Sequence, residues 1–437
     1  MNRAVSYSLQ HPVPKFHPSR SLARSLLVSL IVQKFGGTSV GSPDRINTVA
    51  DRVCATSRSG HGVVAVVSAM GNTTDDLIQL AEAITPDPPA REMDMLLTAG
   101  ERITMALLAM AISARGVEAM SLTGSQAGIL TDGVHGAARI REIRGDRIQE
   151  GLARGKVVIV AGFQGVDPTS KEITTIGRGG SDATAVALAA TLGADVCEIY
   201  TDVDGVFAAD PRVVPAAVKL AEISYDEMLE FSASGAGVLM TRAVEFGRRF
   251  NIPIHVRSSF NENAGTWVKE TTMEQAIISG IAHDRSEAKL TVRGVPDKPG
   301  VAAELFEPLA EGGVNVDMIV QNIGHDGSAD ISFTVPKAVV THATEVTTKV
   351  SHGLGAQTVE VDENIGKVSL VGAGMKSHPG VAARVFRALA EAAINIEMIS
   401  TSTIRISCVV RGDQVDEAVA ALHREFQPPL VAEEVGA

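Results

Sequence analysis

Lysine and glycine occur together in one short segment, Lys34-Phe35-Gly36-Gly37-Thr38-Ser39, which follows the apolar run Leu26 to Val32. Glycines let backbone N–H groups approach an anion, the N-terminus of a following helix adds its positive dipole end, and lysine adds a full charge. Ser42 and Pro43 occupy positions typical of a helix N-cap and first turn. The segment therefore predicts a phosphate-binding turn, although a glycine pair at a strand end is also common in turns that bind no ligand.

A second cationic segment, Gly177-Arg178-Gly179-Gly180-Ser181-Asp182, precedes an alanine-rich helical pattern. Arginine can hold a carboxylate through two hydrogen bonds, while Ser181 and backbone donors can take phosphate oxygens. The spacing is not the dinucleotide fingerprint, because Asp182 occupies the position of its last glycine. These residues predict a second anion site at a helix N-terminus.

Carboxylates follow the predicted strand Val196 to Tyr200, in the segment Thr201 to Arg212. Ligands of open α/β sheets bind at the carboxyl ends of strands, where carboxylates suit orienting a lysine and Mg²⁺-bound water. Taken alone, an Asp-Gly turn with solvated carboxylates fits equally well. Glu101, early in a helical pattern that runs to Ala114, would receive a substrate ammonium group only if it points into the site.

The elements that must position these residues alternate between short apolar runs and helical patterns. The runs are Val63 to Val67, Val157 to Val160, Val196 to Tyr200 and Ile252 to Val256, and the patterns include Thr74 to Ala83 and Asp182 to Leu192. Such alternation predicts a largely parallel sheet covered by helices on both faces. The segment Gly265 to Ala288 carries little pattern and is interpreted as a connection.

An internal repeat fills the C-terminal third. Pro299 to Ala303 recurs as Pro379 to Ala383, 80 residues later, and each copy predicts a strand, a Pro-Gly turn, an amphipathic helix and a strand opening with Asn315 or Asn395. Two copies are too few for a solenoid and predict a pair of small domains. Their glycine turns suit a small zwitterion, and duplication for stability is the alternative.

Composition narrows the function classes. A chain of 437 residues predicts about three domains, and its formal net charge of −12 disfavours nucleic acid and anionic membrane partners. Three separated cysteines indicate neither a disulfide framework nor a metal site, which favours the cytoplasm. No uninterrupted apolar run approaches the ~18 residues of a membrane span. Met1 to Val32 has transit-like composition, with a disordered tail or an upstream start codon as the preferred interpretation.

With Val67-Ser68-Ala69-Met70-Gly71, Leu97 to Arg102 and Gly124 to Gly128, these motifs resemble aspartate kinase, a member of the amino-acid kinase superfamily, and the repeat resembles its pair of ACT regulatory domains. The resemblance runs from about Ile31 to near the C-terminus and is greatest to the monofunctional, lysine/threonine-regulated actinobacterial type. It implies an α/β amino-acid-kinase fold followed by two α+β ferredoxin-like ACT domains. The implied boundaries are an N-terminal extension 1–30, a catalytic domain 31–262, a linker 263–287, and ACT domains 288–362 and 363–437.

The resemblance also implies an activity, ATP-dependent phosphorylation of the L-aspartate side-chain carboxylate to 4-phospho-L-aspartate, the first step toward lysine, threonine, methionine and diaminopimelate. A carboxylate with a pKa near ~3.9 is already ionised, so catalysis reduces to positioning and charge stabilisation. Mg²⁺ would accompany ATP, with no residue assigned as its direct ligand. Implied partners are L-aspartate, lysine and/or threonine as effectors, and a homodimer through the ACT domains or a separately translated regulatory subunit.

Four groups of site residues carry over from the family. Lys34 would neutralise the transferring phosphoryl group, and Asp202 would orient Lys34 and the Mg²⁺ shell. The aspartate pocket would comprise Ser39, Ser68, Thr74, Glu101, Arg178, Gly179, Gly180 and Ser181. The nucleotide would contact Lys34, Phe35, Gly36, Gly37, Ser181, Thr201, Asp202, Asp204, Val206, Phe207, Arg212, Gly237 and Val238. Effectors would contact Asp297, Asn315, Asp317, Gln321, Met375, Ser377, Asn395 and Glu397.

The chain departs from the family pattern at a few positions. Gly237 stands where relatives carry a lysine near the nucleotide, and Ser400-Thr401-Ser402-Thr403 replaces a usual Ser-Thr-Ser-Glu. Ala382 stands where a threonine is common. An acyl kinase that acts on glutamate is one alternative function, and a catalytically silent amino-acid sensor, suggested by Gly237, is another.

Overall fold

The computed structural model describes residues 28–271, 276–324 and 327–429, with the side chain of Lys376 excepted. Residues 1–27 of the predicted extension lie outside this range. The described strands are β1 Leu30–Phe35, β2 Gly62–Val67, β3 Ala119–Leu122, β4 Ile129–Thr131, β5 Ile140–Ile143, β6 Val157–Ala161, β7 Gln164–Val166, β8 Ile173–Thr175, β9 Val196–Thr201, β10 Glu222–Ile223, β11 Ile254–Ser258, β12 Thr266–Val268, β13 Gly280–Asp284, β14 Glu287–Pro296, β15 Ile319–Ile323, β16 Ser328–Pro336, β17 Thr358–Asp362, β18 Ile365–Val371, β19 Met398–Thr401 and β20 Arg405–Arg411.

The described α-helices are α1 Pro43–Arg58, α2 Thr73–Glu82, α3 Ala90–Ser113, α4 Asp146–Ala153, α5 Gly180–Leu192, α6 Tyr225–Ala233, α7 Thr241–Phe250, α8 Val301–Glu311, α9 Val340–Leu354, α10 Val381–Glu391 and α11 Val415–Phe426. Two compact units result. Unit 1 holds the described residues of 1–206, 219–229 and 238–271, and unit 2 holds those of 207–218, 230–237 and 272–437.

Unit 1 is built on an eight-stranded sheet with the order β10-β12-β11-β9-β1-β2-β6-β3. Its neighbouring strands are parallel except for the pairing of β11 with β12. In the central strand β1, Lys34 lies opposite Val66 of β2 and Ile199 of β9. The predicted parallel α/β architecture is confirmed, and it places the carboxyl ends of β1, β2 and β9 at one edge.

Helices cover both faces of this sheet. On one face, Ile46 and Val49 of α1 join Leu108 and Ile112 of α3 in a core with Val63 and other strand residues. α5 packs on β1, β2 and β9, and all 13 of its residues are buried. A smaller sheet, β5-β4-β7-β8, lies in the same unit. Because α5 is buried all round, its N-terminus has a fixed position beside the sheet edge.

Local start signals are confirmed at α1, where the Ser42 side chain accepts a hydrogen bond from the Arg45 N–H and Pro43 is the first residue. The bounds of β1 differ from expectation. β1 begins at Leu30, inside the run Leu26 to Val32, and continues beyond that run to Phe35, so Lys34 belongs to the strand itself and the turn begins at Gly36. The sheet extends as far as its neighbours β2 and β9 can pair, and hydrophobicity alone does not mark that limit.

α3 begins at Ala90, well before the predicted segment, and is long and apolar enough by length and composition to cross a membrane. Core helices pass the same test. Here Thr98, Glu101 and Thr104 are buried, and the helix packs against α1, α2, β3, β6 and β8. We interpret α3 as a core helix of unit 1.

Unit 2 contains two four-stranded antiparallel sheets, β15-β16-β14-β17 and β13-β18-β20-β19. In each, a strand, a helix, two paired strands and a second helix follow in order, which is the predicted ferredoxin-like arrangement. The strand after the first helix does not open with asparagine, since β15 begins at Ile319 and β19 at Met398. Asn315 and Asn395 precede those strands in the connection that leaves the helix.

Two strands lie inside the range 263–287 that was predicted to be a linker. β12 pairs with β11 and β10 in unit 1, whereas β13 pairs with β18 and supplies the edge of the second sheet of unit 2. Ile281 of β13 is 1% exposed and joins Leu370 in the core of that sheet. Strands of three and five residues carry too little periodicity to be distinguished from a connection. In the sequence, the strands of the sheet β15-β16-β14-β17 thus lie between β13 and the rest of the sheet β13-β18-β20-β19.

Candidate functional site

Lys34 forms an ion pair at the carboxyl edge of the main sheet. Its Nζ lies 2.5 Å from Oδ1 of Asp182, in the first turn of α5, and the two side chains are only 12% and 8% exposed. The predicted partner was Asp202, which instead is exposed and accepts a hydrogen bond from the Thr201 hydroxyl at 3.1 Å. The first turn of a helix stabilises a carboxylate through its dipole, so Asp182 is the better placed counter-ion.

The turn after β1 is shaped by a close approach of two loops. The Gly36 N–H donates to the Tyr200 carbonyl at 3.3 Å, so this donor is already used within the protein. A Cβ on Gly37 would lie 3.0 Å from the carbonyl oxygens of both Ala69 and Gly71, which explains glycine there. The prediction that both glycine N–H groups bind phosphate therefore needs correction at Gly36.

A cavity of about 540 Å³ opens beside this turn. It is lined by Lys34 and by every residue of the predicted aspartate pocket except Ser39. The Ser39 hydroxyl lies 2.5 Å from that of Ser259 and is buried within the turn. Asp182 also lines the cavity, together with Phe163, Asp94, Gly136 and Thr175, which sequence reasoning missed. The structure thus brings together residues from α2, α3, β1 and the start of α5.

Glu101 provides the negative pole of the cavity. It is 3% exposed, and its Oε1 accepts the Ala69 N–H at 3.0 Å, while Oε2 is buried and has no hydrogen-bond partner in the described part of the chain. Burial raises the pKa of Glu101 to about 7. A buried carboxylate with one free oxygen suits a ligand ammonium group, which would supply the missing donor and charge.

The cavity is also lined by cationic residues, and Arg178 lies at the start of α5. Gly179 caps the helix with φ +66°, and a Cβ there would lie 1.7 Å from Cγ of Met240, so only glycine fits. This tight turn places Arg178 in the cavity wall and Ser181 in the first helical turn. Arginine, lysine and a helix N-terminus together favour a ligand that carries carboxylate and phosphate groups.

The residues predicted to contact the nucleotide are not gathered into this cavity, apart from Lys34 and Ser181. Both Asp204 oxygens are bonded, one to Asn261 and one to Asn263, each at 2.7 Å, and these bonds lower the pKa of Asp204. Val206 is buried, as is Phe35, which stacks on Tyr200. Val238 also belongs to unit 1.

Phe207, Arg212 and Gly237 belong to unit 2. Arg212 is largely exposed and pairs with Asp210 at 2.7 Å. Gly237 is exposed, and a Cβ added there would meet no atom within 4 Å. A longer side chain at position 237 is therefore sterically acceptable.

Two predicted effector residues form reciprocal ion pairs between the two repeats of unit 2. Asp317, from the first repeat, accepts from Lys367 of the second at 2.6 Å, and Glu397, from the second, pairs with Lys289 of the first. Lys367 is 1% exposed and also contacts Glu287 at 2.5 Å. Burial alone would lower the pKa of Lys367, but its two carboxylate partners raise it. These pairs tie the two repeats together.

The other predicted effector residues lie apart from these pairs. Asn315 and Asn395 are exposed at equivalent places in the two repeats, and Gln321 is exposed on β15. The Asp297 N–H donates to Gly327, and the Ser377 hydroxyl donates to Gly374. Met375 packs against the core of the second repeat.

Comparisons with known proteins agree with this architecture. The amino acid kinase family model matches residues 29–258, and the ACT domain model matches 290–349 and 368–426. The fold and cavity thus define an amino acid kinase joined to a pair of ACT domains.

The aspartokinase of Mycolicibacterium smegmatis is 56% identical over 405 residues, which cover 91% of this chain and 96% of the relative. E. coli aspartokinase III in complex with aspartate and ADP has a TM-score of 0.78 at 27% identity, covering 91% of this chain and all of that one. The same enzyme in complex with lysine and aspartate has a TM-score of 0.69 at 27% identity, covering 90% and 99%. The chain belongs to the aspartokinase family and is an enzyme.

The raised pKa of Glu101 predicts a pH-dependent stability difference in the unliganded enzyme. Between the ordinary value of 4.5 and about 7, native Glu101 keeps a proton that the unfolded chain has released, so its contribution to stability falls as pH rises. We expect Glu101→Gln to be about 3 kcal/mol more stable than wild type at pH 8 and within about 1 kcal/mol of it at pH 5. Urea unfolding at both pH values measures this. Exposed Glu82→Gln is the control, and an equal gain at pH 5 and pH 8 would contradict the assignment.

Proposed function

We propose that the enzyme transfers the γ-phosphoryl group of ATP to the side-chain carboxylate of L-aspartate, forming 4-phospho-L-aspartate. The observation that carries this proposal is a single cavity lined both by buried Glu101, which has one oxygen without a hydrogen-bond partner in the described part of the chain, and by Lys34 and Arg178. An amino acid with two carboxylates matches this set of charges. The complex of E. coli aspartokinase III with aspartate and ADP supports the same substrate and nucleotide.

Glu101 and Arg178 would orient the amino acid. The substrate ammonium group would donate to Oε2 of Glu101, and its positive charge would return the pKa of that carboxyl toward its ordinary range. Arg178 would hold the α-carboxylate through paired hydrogen bonds. The side-chain carboxylate then remains to face Lys34. Binding at three points fixes the reacting oxygen, which is the main contribution that positioning makes to catalysis.

The chemical step needs no general base, since the attacking carboxylate is already ionised. Its oxygen forms the new bond to the γ-phosphorus while the bond to the departing ADP oxygen breaks. Lys34 would stabilise the charge on the transferring phosphoryl oxygens, and Asp182 holds the Lys34 ammonium in place for this role. Ser181 and the N-terminus of α5 would add donors on the same side.

Mg²⁺ would accompany ATP and neutralise phosphate charge when bound. Within 28–271, 276–324 and 327–429, no group of three or more His, Cys, Asp or Glu side chains could hold a metal ion. This donor set fits an ion carried mainly by phosphates and water, with exposed Asp202 at the end of β9 accepting from its water shell. Thr201 and Val238, which both belong to unit 1, would contact the nucleotide itself.

The product is a reactive acyl phosphate, and we propose that it enters cytoplasmic synthesis of lysine, threonine, methionine and diaminopimelate. Lysine and/or threonine would inhibit through the ACT domains, as the lysine complex of E. coli aspartokinase III suggests. A homodimer would form through the ACT edge strands, where Ile319, Ile323 and Ile399 are 52%, 66% and 44% exposed. Assembly with a separately translated regulatory subunit, starting near Met273, is the other arrangement, and Met273 lies outside the described residues.

Replacing Lys34 with alanine should reduce kcat about a thousandfold, because the charge opposite the transferring phosphoryl group is lost. Hydroxylamine trapping of the acyl phosphate, with ATP and L-aspartate, measures the product. Lys156→Ala, which removes an ammonium paired with Glu118 at 3.0 Å outside the cavity, should retain activity. More than a tenth of wild-type turnover in the Lys34 variant would contradict the role, and product from L-glutamate but not L-aspartate would contradict the substrate.

Restoring a cation at position 237 should strengthen nucleotide binding. A Cβ at position 237 meets no atom within 4 Å, so Gly237→Lys can add a charge without backbone strain from its first side-chain atom, and we expect KM for ATP to fall about threefold at low ionic strength and less at high salt. Gly237→Gln is the uncharged control of similar length. An equal effect in both variants would show that the charge has no part in binding ATP.

Feedback inhibition is expected when L-lysine and L-threonine are assayed alone and together against the full chain. Asn315→Ala and Asn395→Ala remove exposed amides at equivalent places in the two repeats, and each should raise the half-inhibitory concentration of an effector about tenfold with kcat unchanged in its absence. If neither effector inhibits the wild-type enzyme, the regulatory proposal is wrong.

A further inference from the structure

Asp94 is a second buried carboxylate on α3, seven residues before Glu101 and 1% exposed. Unlike Glu101, it is saturated with donors. Its Oδ2 lies 2.6 Å from Nδ1 of His135, its Oδ1 accepts the Thr175 hydroxyl at 2.5 Å, and the Gly136 N–H lies 3.1 and 3.3 Å from the two oxygens. Since a carboxylate only accepts, Nδ1 of His135 carries the proton in this network.

These donors come from two separate segments. His135 and Gly136 lie in the loop 132–139, which joins β4 to β5, whereas Thr175 ends β8 and lies two residues before Gly177 of the glycine turn. Asp94, Gly136 and Thr175 all line the cavity. The Gly136 carbonyl oxygen would also lie 3.1 Å from a Cβ built on Gly177, so the loop lies directly against the glycine turn.

The base of the loop 132–139 is held by backbone hydrogen bonds that do not involve Asp94. The Asp132 N–H donates to the Arg139 carbonyl at 3.0 Å, and the Ala138 N–H donates to that of Thr175 at 2.9 Å. The tip is different, because the side chain of His135 and the N–H of Gly136 both point to Asp94. Losing the contacts of Asp94 would therefore loosen the tip without opening the base.

We propose that Asp94, His135 and Thr175 form a latch that fixes the tip of the loop 132–139 as part of the cavity wall, and that they are positioning residues for the amino-acid substrate. α3 then presents two carboxylates with different tasks. Glu101 keeps one oxygen available to a ligand, whereas the protein itself supplies hydrogen-bond donors to both oxygens of Asp94. The identity of that ligand rests on the function proposed above, whereas the latch itself rests on the contacts of the unliganded chain.

The latch predicts a split between kinetic constants. Without it, the cavity wall must be ordered when substrate binds, so KM for L-aspartate should rise about tenfold in His135→Ala, Thr175→Val and Asp94→Asn, while kcat and KM for ATP change less than about twofold. Two conservative variants keep the donors. The side-chain amide nitrogen of His135→Asn takes nearly the position of Nδ1, and Thr175→Ser keeps the hydroxyl, so both should behave as wild type.

Hydrogen–deuterium exchange of the unliganded full chain supplies a readout that needs no substrate. The amides of residues 133–137 should exchange at least about tenfold faster in His135→Ala and Thr175→Val and at the wild-type rate in His135→Asn. Unchanged exchange in the alanine variant overturns the latch. Faster exchange with an unchanged KM for L-aspartate shows a merely structural role and overturns the positioning proposal. A variant in which the melting temperature, kcat and the kcat/KM values for L-aspartate and ATP all fall together leads to the same conclusion. If wild type makes no product from L-aspartate, the proposed function fails, and exchange still decides the latch.

Discussion

The ion pair between Lys34 and Asp182 is the constraint on which the site depends. It joins the central strand of the sheet to the first turn of a helix that is buried on every side. Removing one member of a buried pair leaves an uncompensated charge, so replacing either residue alone is expected to reduce the stability of the fold strongly. Because α5 cannot shift within its packing, the pair also fixes the distance from the lysine to Arg178 and Ser181. The cationic side of the cavity is therefore rigid before any ligand arrives.

The acidic side is arranged by a different principle, the unequal satisfaction of two carboxylates on one helix. Glu101 keeps a buried oxygen without a donor, and desolvation shifts its pKa, whereas Asp94 is surrounded by donors from two segments. An unsatisfied buried acceptor is costly in the free protein, and a ligand that satisfies it recovers that cost on binding. The same unsatisfied oxygen of Glu101 thus lowers the stability of the empty site and raises its affinity for an ammonium group.

Features of local origin could be predicted from the sequence, namely the cap at Ser42, the alternation of strands and helices, and the repeat. The glycine motifs were likewise found correctly at a helix start and beside a strand end. The pairing of Lys34 with Asp182 and the cluster around Asp94 were missed, because they join residues far apart in the chain, such as Asp94 and Thr175, 81 positions apart. The seven-residue spacing of Asp94 and Glu101, which places both on one helical face, was the available signal. β12 and β13 were missed because short strands lack a period.

The position of β13 has a consequence for how the chain is made. This strand leaves the ribosome before any residue of the first ACT sheet, yet its partner β18 emerges only after the strands of that sheet have been made. During synthesis the second sheet therefore cannot form until β18 has been made. Until then the apolar side chain of Ile281 has no partner strand to cover it, while the first sheet can already fold. A shortened polypeptide starting at Met273 would still carry β13, whereas one starting at Glu287 would leave β18 with a bare edge. Translation order thus favours assembly of the first ACT domain before the second.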